Sequence, residues 1–499
     1  MRLLRVCSRI SLPVLMCVSC SSAPAAVSPT DSGADTLLTS DASGGADVAD
    51  ETSGLVDNSP ASWNQPISPP SDSDATTKRA ACGYGPGDMP LATQGASAPD
   101  GSKIPIDTIV IMMMENRSFD HYFQNLPSAG QTDVDVAPAT FTNPSTDGKT
   151  TVPISHDTQL CIVDPNHTWA GTHQQFNAGK MDGFVASNDG YGDLPAHGTS
   201  ELMAGSRVMV NYDQTDLPLA YWAANTFSLA DHYHSALLGP TWPNRMFLYA
   251  ATSFGVTDNT FPTGYGNILI DNLNTRGVSW AIYTDGTPGM AVFTTKTIDN
   301  RANIFPVAQF ATDAAAGLLP QVVFLDPKLG EEAFNQVDEH PPAIMQEGEA
   351  WIAQQVKALV NSPQWPRAAL FWTYDEHGGF YDHQVPPPAC TPDDVAVQSH
   401  PGDPAGAKFD TYGIRVPMMV LSPWVKKHTV AHGVYDHTSI VRFVESRFRL
   451  PAMTRRDANA AVPWEMFDFT QTPDNTPPTI PSVTVDAAKL AACKATYTP

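Results

Sequence analysis

Two pairs of oxygen-bearing side chains fall at the ends of two strongly apolar runs: Glu115-Asn116 after Ile106–Met114, and Asp375-Glu376 after Ala368–Tyr374. Adjacent carboxylates repel unless protons or a cation neutralise them. Convergence of the two pairs would therefore make a hard, oxygen-rich site for a divalent metal. Oxygen donors suit Ca²⁺, Mg²⁺ or Mn²⁺, and Zn²⁺ fits as well if His377 joins them. Taken singly, each pair also has a plain structural role, Glu115-Asn116 as a helix cap and Asp375-Glu376 as a solvated loop. A third element, Leu238-Gly-Pro-Thr-Trp-Pro-Asn-Arg-Met-Phe247, sets Thr241 just before an expected helix, with Pro243 in its first turn. Thr241 is either a simple helix cap or a nucleophile whose alkoxide is favoured by the helix N-terminus and a nearby metal. Arg245, Asn244 and Trp242 are candidate substrate contacts, Arg245 for a phosphate oxygen or a carboxylate.

Ester cleavage leaves an alkoxide that needs a proton, and an imidazole with a pKa near working pH can supply it. His377, His383 and His340, the last in Asp338-Glu-His-Pro-Pro342, are the candidates. His173 and His167, upstream of Gly179-Lys-Met-Asp-Gly183, are candidates for binding substrate oxygens, and His437 is expected to brace the last long helix. Trp242, Trp169, Phe380 and Tyr381 offer aromatic faces that could hold a choline cation or could simply be core.

Such groups need rigid elements to bring them together. Short apolar runs recur at Val278–Tyr283, Gln321–Leu325 and Val416–Leu421 as well as before the two acidic pairs. Runs of this kind read as strands buried on both faces, and Glu347–Val360 carries a helical apolar stripe through Ile352, Val356, Leu359 and Val360. The fold class expected is α/β, with a large, mostly parallel central sheet flanked by helices. In such sheets ligands bind beyond the carboxyl ends of the strands, which is where both acidic pairs fall.

The 499 residues carry a net charge of −24, with 44 prolines and 34 glycines. This excludes a basic nucleic-acid binder working by counterion release, and the loop-forming residues exclude a helical bundle. Residues 1–20 have the charged and apolar parts of an export signal. Cys20 could accept a lipid and tether the chain to a membrane, the rival being cleavage after Ala23-Pro24-Ala25. Residues 21–85 are expected to be a disordered acidic linker, since nine carboxylates face only Lys78 and Arg79 with few apolar side chains between. Residues 86–499 would form the catalytic domain, acting as a monomer that is either an outer-membrane lipoprotein or a secreted or periplasmic protein. Cys82, Cys161, Cys390 and Cys493 allow two disulfides in an oxidising compartment, with the pairing open.

Five blocks in order carry a resemblance: Glu115-Asn-Arg-Ser-Phe-Asp-His-Tyr-Phe123, Gly179-Lys-Met-Asp-Gly-Phe184, Gly239-Pro-Thr-Trp-Pro-Asn-Arg245, Tyr374-Asp-Glu-His-Gly-Gly-Phe-Tyr-Asp-His383 and Tyr412-Gly-Ile-Arg-Val-Pro417. Together they resemble the bacterial phospholipase C and acid phosphatase family of phosphoesterases, whose fold is similar to that of alkaline phosphatase. The resemblance implies metal binding by Glu115, Asn116, Asp375 and Glu376, and Thr241 as a nucleophile that passes through a phosphothreonine. It further implies hydrolysis of phosphatidylcholine-like lipids, because Thr rather than Ser stands in the Gly-Pro-Thr block. The alternatives are a phosphomonoesterase of the acid phosphatase type, or a surface binding protein without turnover.

Overall fold

The protein is described from a computed structural model that covers residues 55–191, 204–329 and 336–497. All five apolar runs form strands. The main sheet contains β1 (Thr108–Met114), β2 (Ser228–Ala230), β3 (Trp280–Tyr283), β4 (Ile304–Phe305), β5 (Val322–Leu325), β6 (Ala368–Tyr374), β7 (Met418–Leu421) and β8 (Thr429–Ala431). Their order across the sheet is β8-β2-β7-β6-β1-β5-β3-β4. Only β7 runs against its neighbours; the other pairings are parallel. β1 and β6 are central and buried along their whole length, which is why neither alternates polar and apolar residues. Each fully buried Ile, Val, Met or Phe on them contributes roughly 1.5–3 kcal/mol relative to exposure.

Six helices matter below: α1 (Asp72–Ala80), α2 (Trp169–Phe176), α3 (Thr241–Ala250), α4 (Met345–Val360), α5 (His437–Phe448) and α6 (Ala487–Tyr497). α4 is the expected amphipathic helix and buries Ile352, Val356, Leu359 and Val360. α5 begins at a capping box formed by Asp436 and Ser439 and packs on α3.

The expected linker over 21–85 differs from the structure in its described part, which starts at residue 55. Helix α1 lies inside it, capped by Ser71, whose hydroxyl accepts from the Asp74 N–H. The Arg79 guanidinium donates to the Thr93 carbonyl, and the Lys78 ammonium sits 4.2 Å over the Tyr84 ring. The segment is too polar to build a core of its own, but a Cys82–Cys390 disulfide pins it to the main body, so its order is borrowed. The second disulfide joins Cys161 to Cys493. The expected export signal and Cys20 lie outside the described residues. Among those described, no helix is long and apolar enough to cross a membrane.

Candidate active site

Strands β1 and β6 pair in parallel with Met114 opposite Tyr374, so Glu115 and Asp375 leave the sheet side by side. Asn116 then adopts a left-handed φ of 63°, a conformation that Asn tolerates better than most residues. Its backbone N–H donates to Asp375 Oδ1 at 3.2 Å, and the Glu376 N–H donates to the same oxygen at 2.8 Å. Gly378, at φ 65°, passes so close that a Cβ would stand 2.3 Å from the Asn116 carbonyl oxygen. Only glycine fits there, and its N–H donates to Glu376 Oε2 at 2.5 Å.

Helix α3 docks on the same strand ends through Arg245. Its Nε donates to Asp375 Oδ2 at 3.0 Å, and one terminal nitrogen lies 3.3 Å from Glu115 Oε1. The same nitrogen donates to the carbonyls of Met113 and Met114 at 3.3 and 3.1 Å. Residues four apart share a helix face, so Thr241, one turn earlier and buried, is carried toward the ends of β1 and β6. Pro240, not Thr241, occupies the N-cap, and no side chain caps α3. The simple capping role for Thr241 is therefore not the one observed.

Sequence reasoning missed Asp338. Its carbonyl accepts the Glu115 N–H at 2.9 Å, and its carboxyl is fully buried beside Glu115 and Asp375. Glu115, Asp338 and Asp375 thus crowd around one guanidinium, with Glu376 next to Asp375. Burial lifts the Asp375 carboxyl to about 7, with Glu115 adding and Arg245 opposing. Burial likewise holds Asp338 well above the usual carboxylate range with help from Glu115, and Glu376 with help from Asp375. Buried like charges stay ionised only when a cation offsets them. Asn116 Oδ1, Asp338 Oδ2 and Glu376 Oε1 are all buried without a hydrogen-bond partner. Orphaned acceptors with surplus negative charge fit a hard divalent cation.

A second gap in the sequence reading is the strength of His167. Its Nε2 lies 4.0 Å from Glu376 Oε1, while its Nδ1 bonds the Pro165 carbonyl at 2.8 Å. Burial would depress this imidazole, but Glu376 and Asp164 raise it to about 9. The His340 ring stands 5.9 Å from that of His167, and Asp164, His167 and His340 each place a ligand atom within 4.8 Å of the others. Two further groups meet that spacing among the described residues, Asp120-Asp382-His383 and His156-Asp213-Asp216.

Several expected contacts are used otherwise. His377 is buried with Nε2 on Gln175 Oε1 at 2.7 Å, and burial, with His167 adding, holds its imidazole well below the usual range. His383 bonds Asp120 at 2.7 Å and Asp135 at 3.2 Å within a separate cluster around Arg415. Asn244 braces its own loop, accepting from the Leu237 N–H and donating to the Gly239 and Pro240 carbonyls. Arg245 is engaged by carboxylates and so is not free to hold a phosphate. Trp242 packs against Phe261, with ring centroids 5.7 Å apart. His173 packs on Trp169 and lines a cavity of about 580 Å³ with Leu238, Lys408 and Asp410. Phe380 stacks on His121 in the core, and Tyr381 is buried too, so neither can join an aromatic cage. His437 does brace α5, its Nε2 meeting the Asp375 carbonyl at 2.7 Å.

Residues 106–451 match the model of the phosphoesterase family. The chain belongs to the phosphoesterase family. It is 30% identical over 455 residues to phospholipase C B of Mycobacterium tuberculosis (strain ATCC 25618 / H37Rv), covering 80% of this chain and 85% of that protein. It is also 30% identical over 400 residues to non-specific phospholipase C6 of Arabidopsis thaliana, covering 76% of this chain and 75% of that one. Among solved structures, the lipoteichoic acid synthase LtaP from Listeria monocytogenes aligns at 8% identity with a TM-score of 0.32, over 68% of this chain and 81% of that one. As a phosphoesterase with phospholipase C relatives, the protein is a hydrolase of phosphate ester bonds, and its substrate is a phosphate ester or lipid.

Proposed function

We propose that this phosphoesterase is an exported phospholipase C that cleaves the phosphodiester of phosphatidylcholine-like lipids through Thr241. The observation that carries the reading is the surplus of buried negative charge, with unpartnered acceptors, at the ends of β1 and β6 beside the first turn of α3. Glu115, Asn116, Asp375 and Glu376, joined by Asp338, are the residues that would hold the cation. A bound divalent ion, Ca²⁺, Mg²⁺, Mn²⁺ or Zn²⁺, supplies positive charge at the phosphoryl oxygens and at the Thr241 hydroxyl.

Arg245 fixes α3 against β1 and thereby holds Thr241 in line for attack. The Thr241 oxygen releases its proton to solvent and forms a bond to phosphorus as the bond to the diacylglycerol oxygen breaks, and the headgroup phosphate stays on threonine. The departing alkoxide takes its proton from His340, whose Nδ1 is held by the Pro341 carbonyl at 2.6 Å, leaving Nε2 for transfer. Water then gives one proton to His340 as it displaces Thr241 from phosphorus, and the departing threonine oxygen takes up a proton from solvent to return the hydroxyl. The two disulfides support export to an oxidising compartment, and a lipid on Cys20 would keep the enzyme at its substrate.

The test compares phosphocholine release from phosphatidylcholine with phosphate release from p-nitrophenyl phosphate, for wild type and Thr241→Ala. Wild type is expected to prefer the lipid, and the variant to lose about a thousandfold or more of kcat. A preference for the monoester would instead make the enzyme a phosphatase. A fully active Thr241→Ala would remove the nucleophile assignment.

A further inference from the structure

We propose that the C-terminal helix α6 is a latch that positions the loop carrying Asp164 and His167, and that the Cys161–Cys493 disulfide closes it. Residues 157–167 contain no helix or strand, yet they present His167 to Glu376 Oε1 at 4.0 Å. Something outside the loop must fix them. On one side Gln175 Nε2 donates to the Asn166 carbonyl at 2.6 Å, and Asn188 Oδ1 accepts the Asn166 N–H at 2.7 Å. On the other side Leu160 is buried in the core with its carbonyl accepting the Met345 N–H at 3.1 Å, and the residues that follow it toward His167 are backed by α6. Cys493 is bonded to Cys161, and the Tyr497 hydroxyl meets the backbone of Val163.

That support depends on the covalent bond. Of the eleven residues of α6, only Cys493 and Tyr497 are buried, and Leu490 is half-buried against the core. So little apolar area does not offset the entropy of ordering a terminal helix. The disulfide instead removes the entropy of closing a span of 332 residues and so holds α6 against the loop. The placement of His167 beside Glu376 and against His340 is therefore tied to the oxidised chain, and reduction opens the latch without touching the central sheet. A dithiol does this by exchange. Its thiolate attacks one sulfur and the Cys161–Cys493 bond breaks. The protein gains two electrons and two protons as two thiols, and the reagent closes to a cyclic disulfide.

The inference rests on reading the acidic cluster as the phosphoester centre, so the test has readouts that separate the two. Full-length Cys161→Ser/Cys493→Ser is compared with Cys82→Ser/Cys390→Ser, measuring kcat and KM on both substrates, thermal melting and amide exchange by peptide. The first pair is expected to speed exchange across residues 160–167 and to lower kcat/KM about tenfold or more. The second pair is expected to lower the melting temperature while keeping the wild-type kcat/KM. Tyr497→Phe, which retains the disulfide, covers the case in which the double variant does not fold. It should speed exchange at Val163–His167 with an unchanged melt. Wild-type exchange over 160–167 together with wild-type kcat/KM in the latch variants would overturn the proposal, as would an equal loss of kcat/KM in the control pair. Faster exchange in a protein whose wild type cleaves neither substrate would overturn the phosphoester reading and leave the latch standing.

Discussion

Two buried arginines sit among carboxylates in this protein, and they differ in how completely their neighbours are satisfied. Around Arg415, Asp120 and Asp382 are fully buried, yet every oxygen has a donor: the guanidinium, the His383 imidazole at 2.7 Å, or the N–H groups of Asp120, Ala137, His383 and Gln384. The two buried carboxylates there pair with one guanidinium and one imidazole, and the half-buried Asp135 closes the cluster from its outer side. Around Arg245, four carboxylates face one guanidinium and the His167 imidazole, and acceptors of Asn116, Asp338 and Glu376 have no donor. Similar residue types serve opposite ends. The first cluster is a finished ion-pair network, and the second is finished only by a ligand. Buried pairs persist when fully hydrogen-bonded, whereas an unsatisfied set is a cost retained for function.

The comparison can be broken most forcefully at Asp375. Asp375→Asn should lower activity about 100-fold, with a parallel loss of metal affinity read by equilibrium dialysis. Its melting temperature in chelator should equal or exceed that of wild type, because one crowded carboxylate is gone. Chelation of wild type should remove activity and metal add-back restore it. A stable, fully active Asp375→Asn would make the two clusters equivalent.

The reverse pattern is expected at Asp382. Asp382→Asn removes a partner from a buried guanidinium and should cost about 3–5 kcal/mol in denaturant unfolding. Turnover per folded molecule should stay near that of wild type. Loss of turnover without loss of stability would move the Arg415 cluster into the active site.

A smaller effect sharpens the contrast through pH. Burial opposes the charge on His383, but its bond to Asp120 prevails and raises the imidazole from 6.5 to about 9. A folded pKa above the unfolded one gives a contribution fully present below pH 6.5 and lost as pH rises through 9. Wild-type stability should therefore fall over that window, and His383→Gln should flatten the fall. Identical slopes for the two proteins would show that this imidazole is not charged in the fold.

The strands that carry the acidic pairs were legible because both are buried on two faces, which leaves an uninterrupted apolar run ending at Met114 and Tyr374. Register then did the rest, since parallel pairing of those runs places Glu115 beside Asp375. Asp338 and His167 were harder to see because irregular chain carries them, and neither periodicity nor spacing marks where such chain turns. His383 stood out in the sequence as an imidazole at the end of the Tyr374–His383 block. Seven residues beyond Glu376 and on the far side of two glycines, it has already turned to Asp120. The polar segment around α1 misled for another reason: composition reports what a segment can bury alone, not what a distant cysteine can hold in place.

Cys82 precedes β1 in the chain and is bonded to Cys390, well past β6. A pull on the chain from its amino-terminal side therefore enters the body at Cys390 instead of running along the backbone into β1. The strand that ends in Glu115 is shielded from peeling, so force applied to the amino-terminal segment leaves the central strands in register.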